Sequence, residues 1–421
     1  MLARIGGLLT RYGQVRWSLV DQVVVSGANF ATGVLVARYL GIEQFGVFSL
    51  AWLVLLIAQS VQQALISSPM LSIGPKQAAA EQGHYYGIML AEQLAFGLLA
   101  GGTVAIAAAA GDALGWVRQD LGLPLLVAVF FTQMQDFLRR YNFSLGRARI
   151  VVATDMVRNG VQVTGLWLLF EHYSALSVGQ VLYFIAGAAL LGNLVVLPAH
   201  PRWPQSWQGT DELIKRQTDF SKWLLGSALM QWTTGNFFTI TAGMLLGPAA
   251  AGALRASQNL LGVTHIFFQA ADNVVPPRAS KIFHHSGPSA LKRFVGKVFL
   301  VGGSATGLAC LAFGLFPEFW LHLVYGDDYA GNGRLLVGFA FVYLAMAMVM
   351  PLRHFFLALE DTKPLFTGYV LATIFTISLS YWMTESYGLL GSVTGFLFVQ
   401  VIILLTLLSR LFRVVKVGAR E

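Results

Sequence analysis

Charge is what this chain has least of. Asp, Glu, Lys and Arg make up 11% of its 421 residues, less than half the roughly 25% of a soluble domain. With 56% of the residues hydrophobic, too few polar groups remain to cover a water-facing globule, so the chain reads as an integral membrane protein. Cysteine is nearly absent. Cys310 stands alone inside an apolar run, which excludes an internal disulfide framework. No glycine-rich phosphate loop ending in Gly-Lys-Ser/Thr occurs, so the chain is not expected to hydrolyse ATP. His284-His285 has no third ligand at metal spacing, and no cofactor is expected. Long polar connections are missing too. The longest runs over about 199–222, which leaves no room for the sizeable extramembranous domain expected of a membrane-embedded polymerase or glycosyltransferase. The formal charge of +8 comes from bases in short loops between apolar runs, so nucleic acid is not expected as a partner.

What the sequence has in abundance is apolar runs. A bilayer span needs about 20 such residues, and about twelve runs qualify. The first, over 18–40, follows the basic residues Arg4, Arg11 and Arg16. It is of full spanning length and contains Asp21, Gln22 and Asn29, so it reads as a membrane helix, not a cleaved signal peptide. Lys and Arg concentrate in alternate connections, among them Arg139, Arg140, Arg147, Arg149, Arg278, Lys281, Lys292, Arg293 and Arg353. The opposite set holds Arg38, Arg118 and Arg334 beside acids such as Glu43, Asp112, Asp327 and Asp328. By the positive-inside rule both termini are cytoplasmic. The 199–222 connection divides the chain into halves over 1–198 and 223–421.

The halves repeat. Tyr39-Leu40-Gly41-Ile42-Glu43-Gln44-Phe45-Gly46 aligns with Leu245-Leu246-Gly247-Pro248-Ala249-Ala250-Ala251-Gly252. Further on, Leu138-Arg139-Arg140-Tyr141-Asn142-Phe143-Ser144-Leu145 aligns with Leu352-Arg353-His354-Phe355-Phe356-Leu357-Ala358-Leu359, and Arg149 falls opposite Lys363. The matches keep similar spacing and the same orientation, so the repeat is parallel, with a site expected between the halves.

One stretch concentrates polar groups inside an apolar run. Gly252–Val275 carries Arg255, Gln258, His265, Gln269 and Asp272 at steps of three or four residues, with Gly262 filling the gap. That spacing puts them on a single helical face. An Arg or Asp at the bilayer centre costs roughly 2.5–3.5 kcal/mol, so such residues normally face a wet cavity. The stripe therefore reads either as one wall of a polar lumen or as hydrogen-bonding glue between helices. Further polar lines run along Gln22, Ser26, Asn29 and Gly33, along Ser227, Gln231 and Thr234, and along Ser49, Trp52, Gln59 and Gln63. Arg158 lies three residues after Asp155, a spacing that suits an ion pair within one helix.

The run Ser18–Met70 resembles a known family. Gly-Ala-Asn at 27–29, Ala-Arg-Tyr-Leu-Gly at 37–41, Phe-Gly at 45–46 and Gln-Gln-Ala-Leu-Ile at 62–66 are similar to polysaccharide flippases of the multidrug/oligosaccharidyl-lipid/polysaccharide exporter superfamily. The O-antigen and exopolysaccharide repeat-unit flippases are the branch most resembled. The resemblance implies an all-α membrane protein of about twelve helices in two six-helix bundles around a central cavity. It also implies an oligosaccharide on a polyprenyl pyrophosphate carrier as cargo, moved across the inner membrane, with membrane lipids as surroundings. A polysaccharide polymerase and other assembly proteins would be its neighbours. Arg255 and Arg158 would then meet phosphates, because a guanidinium fork donates two hydrogen bonds at once. Arg139, Arg140 and Arg353 would stand at the inner mouth. A drug or small-cation antiporter on the same fold, and a non-transporting scaffold of an assembly complex, are the alternatives.

Overall fold

The computed structural model describes residues 2–113, 121–173, 176–204, 206–207 and 209–417, and among them there are twelve α-helices and no strand. In chain order these are α1 (Leu2–Gln62), α2 (Ser68–Ile73), α3 (Ala79–Ala113), α4 (Gly122–Ser144), α5 (Ala148–His172) and α6 (Val178–Val195). The second set comprises α7 (Thr210–Leu246), α8 (Pro248–Leu261), α9 (His265–Leu315), α10 (Pro317–Tyr325), α11 (Gly333–Ala358) and α12 (Lys363–Val417). The protein is an all-α multi-pass membrane protein. Six stretches are long and apolar enough to cross a bilayer by composition: Val20–Lys76, Ala80–Gly111, Val178–Val195, Ser289–Leu315, Gly333–Ala358 and Lys363–Phe412. The first is 57 residues long, about 85 Å as a straight helix and far more than the roughly 30 Å of hydrocarbon. It breaks at Gly41, as α9 does at Gly287 and α12 at Gly388, where φ is 74°, 73° and 59°. Only glycine takes that backbone conformation without strain. The helices α4, α5 and α7 have 23, 25 and 37 residues. They carry buried polar side chains, which is why composition alone does not single them out.

One sequence expectation changes here. The stretch 252–275 is not one regular helix: α8 ends at Leu261, Gly262–Thr264 tightens into a 3-10 turn, and α9 starts at His265. The connection at 199–222 is helical from Thr210 onward, because α7 begins there with Asp211 and Glu212 in its first turn, where acids favour a helix start.

By its contacts the chain forms two compact units, Met1–Leu35 with Ala51–Leu229, and Val36–Leu50 with Met230–Glu421. In the first, Tyr85, Tyr86, Ile88 and Met89 of α3 bury against Phe137, Leu138 and Tyr141 of α4 and against Met70 and Ile73 of α2. Ser177 starts α6 with a capping box, its hydroxyl accepting from Gln180 N while Gln180 Oε1 accepts from Ser177 N at 2.8 Å. The segment after α6 lies on Gly87, where an added Cβ would stand 2.7 Å from Arg202 O and 2.9 Å from Pro204 N. Gly87→Val is therefore expected to lift this segment off α3. Limited proteolysis near Arg202 would show faster cleavage than in wild type, and equal rates would refute the contact. His200 in the same segment is half-buried near Asn193 O, and burial pushes its pKa down. The neutral imidazole is thus favoured in place, so this docking weakens as pH falls through the ordinary histidine range.

In the second unit, Val36–Leu50 packs among the later helices. Tyr329 Oη donates to Ala37 O at 3.2 Å, its ring lies 6.3 Å from Phe45, and Arg38 Nη1 donates to Leu323 O at 3.5 Å. The turn before α11 is held by Glu318, whose carboxylate accepts from Gly331 N at 3.0 Å and Gly333 N at 2.8 Å.

Candidate functional site

In each unit several polar side chains gather around one residue. In the first, the gathering point is Arg139 on α4. Its Nε donates to Asp155 Oδ2 at 2.8 Å, and its Nη2 donates to Asp21 Oδ2. Asp155 Oδ1 accepts from Gln135 Nε2 at 2.6 Å, and Gln135 Oε1 accepts from Arg158 Nη1 at 3.0 Å. Alongside, Asp136 accepts from Arg140 Nε at 2.7 Å and from Gln59 Nε2 at 3.4 Å. The i, i+4 geometry of one helix brings the Asp136–Arg140 pair together, whereas three helices are needed to bring Asp21, Arg139 and Asp155 together. A cavity of about 10 Å³, room for one water, lies against Gln135, Arg139, Asn142, Thr154, Asp155 and Asn193. Arg158 Nε and Asp21 Oδ1 are buried with no partner among the described residues.

This network corrects one sequence expectation and gives partners to residues named in two others. Asp155 does not pair within its helix with Arg158: its oxygens go to Gln135 and Arg139, because α4 packs across that face of α5. Arg139 and Arg140, expected at an inner mouth, have carboxylates as partners. Gln59, expected to line a lumen, is held by Asp136. A neighbouring amide cluster was missed by the sequence reading. Fully buried Gln62 donates to Gln93 Oε1 at 2.9 Å and to Gln133 O at 2.8 Å, just before the π-helical turn Gln63–Ser67. A single glutamine in an apolar run carries no signal of which neighbour it will meet.

Of the remaining polar lines, Gln22 Nε2 donates to Ser26 Oγ at 3.1 Å, while Asn29, Gln63 and Gln231 are exposed on the helix surfaces. Arg353 is partly buried beside the fully buried His354.

In the second unit the stripe gathers around a residue the sequence reading overlooked, Tyr343 of α11. Tyr343 Oη donates to Gln258 O at 3.1 Å and lies 3.2 Å from His265 Nε2. A hydroxyl has one proton, so if it goes to the carbonyl, His265 carries its own on Nε2 and donates it to Tyr343. Arg255 Nη1 donates to Gln258 Oε1 at 3.3 Å. No carboxylate among the described residues is hydrogen-bonded or ion-paired to Arg255. The 3-10 turn at Gly262–Thr264 keeps Gln258 and His265 on the same side as Tyr343 despite the break between α8 and α9. The side chains of Gln269 and Asp272, further along α9, lie outside the described residues. Among the described residues, no group of three His, Cys, Asp or Glu is placed to hold a metal ion.

A family model described as "Polysaccharide biosynthesis protein" matches residues 34–331 of this sequence. The chain belongs to that family. Among curated proteins no sequence relative matches it. Solved structures share the fold of this family member at low identity. An inward-facing multidrug resistance MATE family transporter of the MOP superfamily superposes with a TM-score of 0.66 at 15% identity, covering 94% of this chain and 96% of that one. The lipid II flippase MurJ in an inward closed conformation gives 0.66 at 12% identity, covering 94% and 87%. A MATE transporter of Vibrio cholerae gives 0.62 at 14%, covering 96% and 97%. The polysaccharide biosynthesis protein described here therefore has the fold of MOP-superfamily membrane transporters, and at these identities the likeness is one of fold.

Proposed function

We propose that this protein is a transporter, not an enzyme: a flippase that carries an oligosaccharide repeat unit linked to a polyprenyl pyrophosphate across the inner membrane for surface polysaccharide synthesis. In this reading the halves 1–198 and 223–421 are six-helix bundles joined by 199–222, both termini are cytoplasmic, and the bundles open alternately to either side. Glycan and pyrophosphate pass a lumen lined by Arg255, Gln258, His265, Arg158 and the polar lines of the first helices, while the lipid tail stays in the bilayer. Gln269 and Asp272 extend that wall. A polysaccharide polymerase and other assembly proteins are natural neighbours, since they would take over the delivered unit.

The observation that supports this reading best is Arg255. It is a guanidinium on α8 whose hydrogen bond among the described residues goes to a neutral amide. Such a cation is costly in hydrocarbon and suits a cargo that brings its own negative charge. A diphosphate would accept two parallel hydrogen bonds from the guanidinium fork, and Gln258 already orients it. A cation-exporting antiporter would more naturally place an acid there.

Deleting the gene is expected to abolish surface polysaccharide and to leave the lipid-linked intermediate on the cytoplasmic side. Complementation with Arg255→Ala, matched for expression, should deliver polymer at least roughly 10- to 100-fold more slowly, since each charge-assisted hydrogen bond lost is worth about 1.5–3 kcal/mol. Arg255→Lys should fall between, because lysine keeps the charge and loses the fork. Unchanged polymer with altered drug sensitivity would instead establish the antiporter.

A further inference from the structure

Four of the lysines and arginines among the described residues are ion-paired to acids. Arg139 pairs with Asp21 and Asp155, Arg140 with Asp136, Lys222 with Asp219 at 2.9 Å and Arg410 with Asp361 at 3.1 Å. The segment around the break in α9 differs. Arg278, Lys281, Lys292, Arg293 and Lys297 are all exposed, on the two arms either side of Gly287, with the stacked rings of His284 and His285 between them. No Asp or Glu occurs from Asn273 through Pro317. None of the five bases makes an ion pair or hydrogen bond with a described residue. Orienting a membrane protein takes only a modest excess of Lys and Arg. Five unanswered cations in so short a segment repel one another unless an external anion covers them.

The neighbouring side chains show where that anion would be. Leu291 and Val295 are buried, and Ile282, Phe283 and Phe294 are partly so. The apolar sides of both arms are thus held to the protein, and the charges are left to point outward at the end of an apolar span, Ser289–Leu315. The bases are spread over two arms and do not converge on one cavity, and lysine outnumbers arginine. That arrangement suits a field of many headgroups better than a single diphosphate, for which a converging fork is needed. We propose that the 278–297 segment is a docking surface for the anionic phospholipid headgroups of the membrane face on which it lies. It would hold this end of α9 to the bilayer surface whatever the transported molecule is.

The test uses the full chain in phosphatidylcholine vesicles, with Cys310→Ser as background and a fluorophore on Ser289→Cys, an exposed position between the arms. Brominated phosphatidylglycerol should quench the label in preference to brominated phosphatidylcholine by at least about fivefold, what one Lys or Arg contributes at such a surface. In Lys281→Gln/Lys292→Gln/Arg293→Gln the preference should fall towards one. It should also collapse in about 1 M salt, where screening acts over roughly 3 Å. These residues are exposed, so the variant keeps its core, and its elution and melting temperature check that it does. An equal preference in parent and variant, or none in the parent, overturns the proposal. So does displacement of the anionic lipid by inorganic pyrophosphate, which would make the segment a diphosphate site instead.

Discussion

Arg139→Gln is expected to lower the melting temperature of the purified protein more than any other single change in the first unit. Asp21 and Asp155 are each 1% exposed, and this one guanidinium lies between their carboxylates, with its carbon 5.3 Å from the centre of the Phe143 ring. Removing one member of a buried ion network leaves the others charged and desolvated, at a cost of roughly 3–5 kcal/mol. Gln135 can still donate to Asp155, but among the described residues Asp21 would lose its only charged partner. Lysine cannot replace arginine here, because one ammonium on a single stem does not reach two carboxylates on different helices. Arg139→Lys should therefore recover only part of the loss. Converting the whole group to amides, with Asp21→Asn and Asp155→Asn added, should restore most of it, since no charge is then buried unpaired. A melting temperature for Arg139→Gln equal to wild type would show that these carboxylates are not held by Arg139, and the network as described would be wrong.

The second large effect concerns the paired glycine turns. Gly252→Ala is expected to destabilise the second unit severely, and so is Gly46→Ala. A Cβ on Gly252 would overlap the carbonyl oxygen of Ile42 and stand 3.1 Å from Gly46 N; one on Gly46 would overlap the backbone of Pro248. Backbone cannot step aside as a flexible side chain can. Overpacking of this kind costs about 1–3 kcal/mol in ordinary cores, and these sites belong at the top of that range. Gly302→Ala is the control: nothing lies within 4 Å of its added Cβ, and an alanine in a helix interior should stabilise slightly. Thermal melts of the three variants in one detergent decide the matter. Similar melting temperatures for all three would mean that the turns do not touch as described.

These turns show how far the sequence reaches. The repeat of Gly41 to Gly46 in Gly247 to Gly252 is visible as a spacing, but the spacing does not say why four glycines are needed. The first of each turn takes a positive φ, 74° at Gly41 and 90° at Gly247, a local requirement. The second of each is a point of close backbone approach, which depends on a partner about 200 residues away in the chain. The Arg139 network divides the same way. Asp136 and Arg140 pair as their i, i+4 spacing predicts, because one helix supplies both ends. Asp155 and Arg158 do not pair as their spacing predicts, because a second helix offers Asp155 a better donor.

What the sequence by itself determined is the class of molecule. Too little charge for a water-facing surface forces the chain into a membrane, and a membrane admits helices whose backbone groups are satisfied within each segment. It also shows the spacing of the glycine turns at Gly41–Gly46 and Gly247–Gly252, where a positive φ is a local requirement. Only the tertiary structure decided which charges are spoken for. In sequence Arg139, next to Arg140, and Arg255 are each simply an arginine near polar neighbours. One is shared between two carboxylates from other helices, and the other's hydrogen bond among the described residues goes to Gln258, whose carbonyl accepts from Tyr343. Periodicity records what lies along one helix, but the partner of a buried charge is set by which helix packs across it.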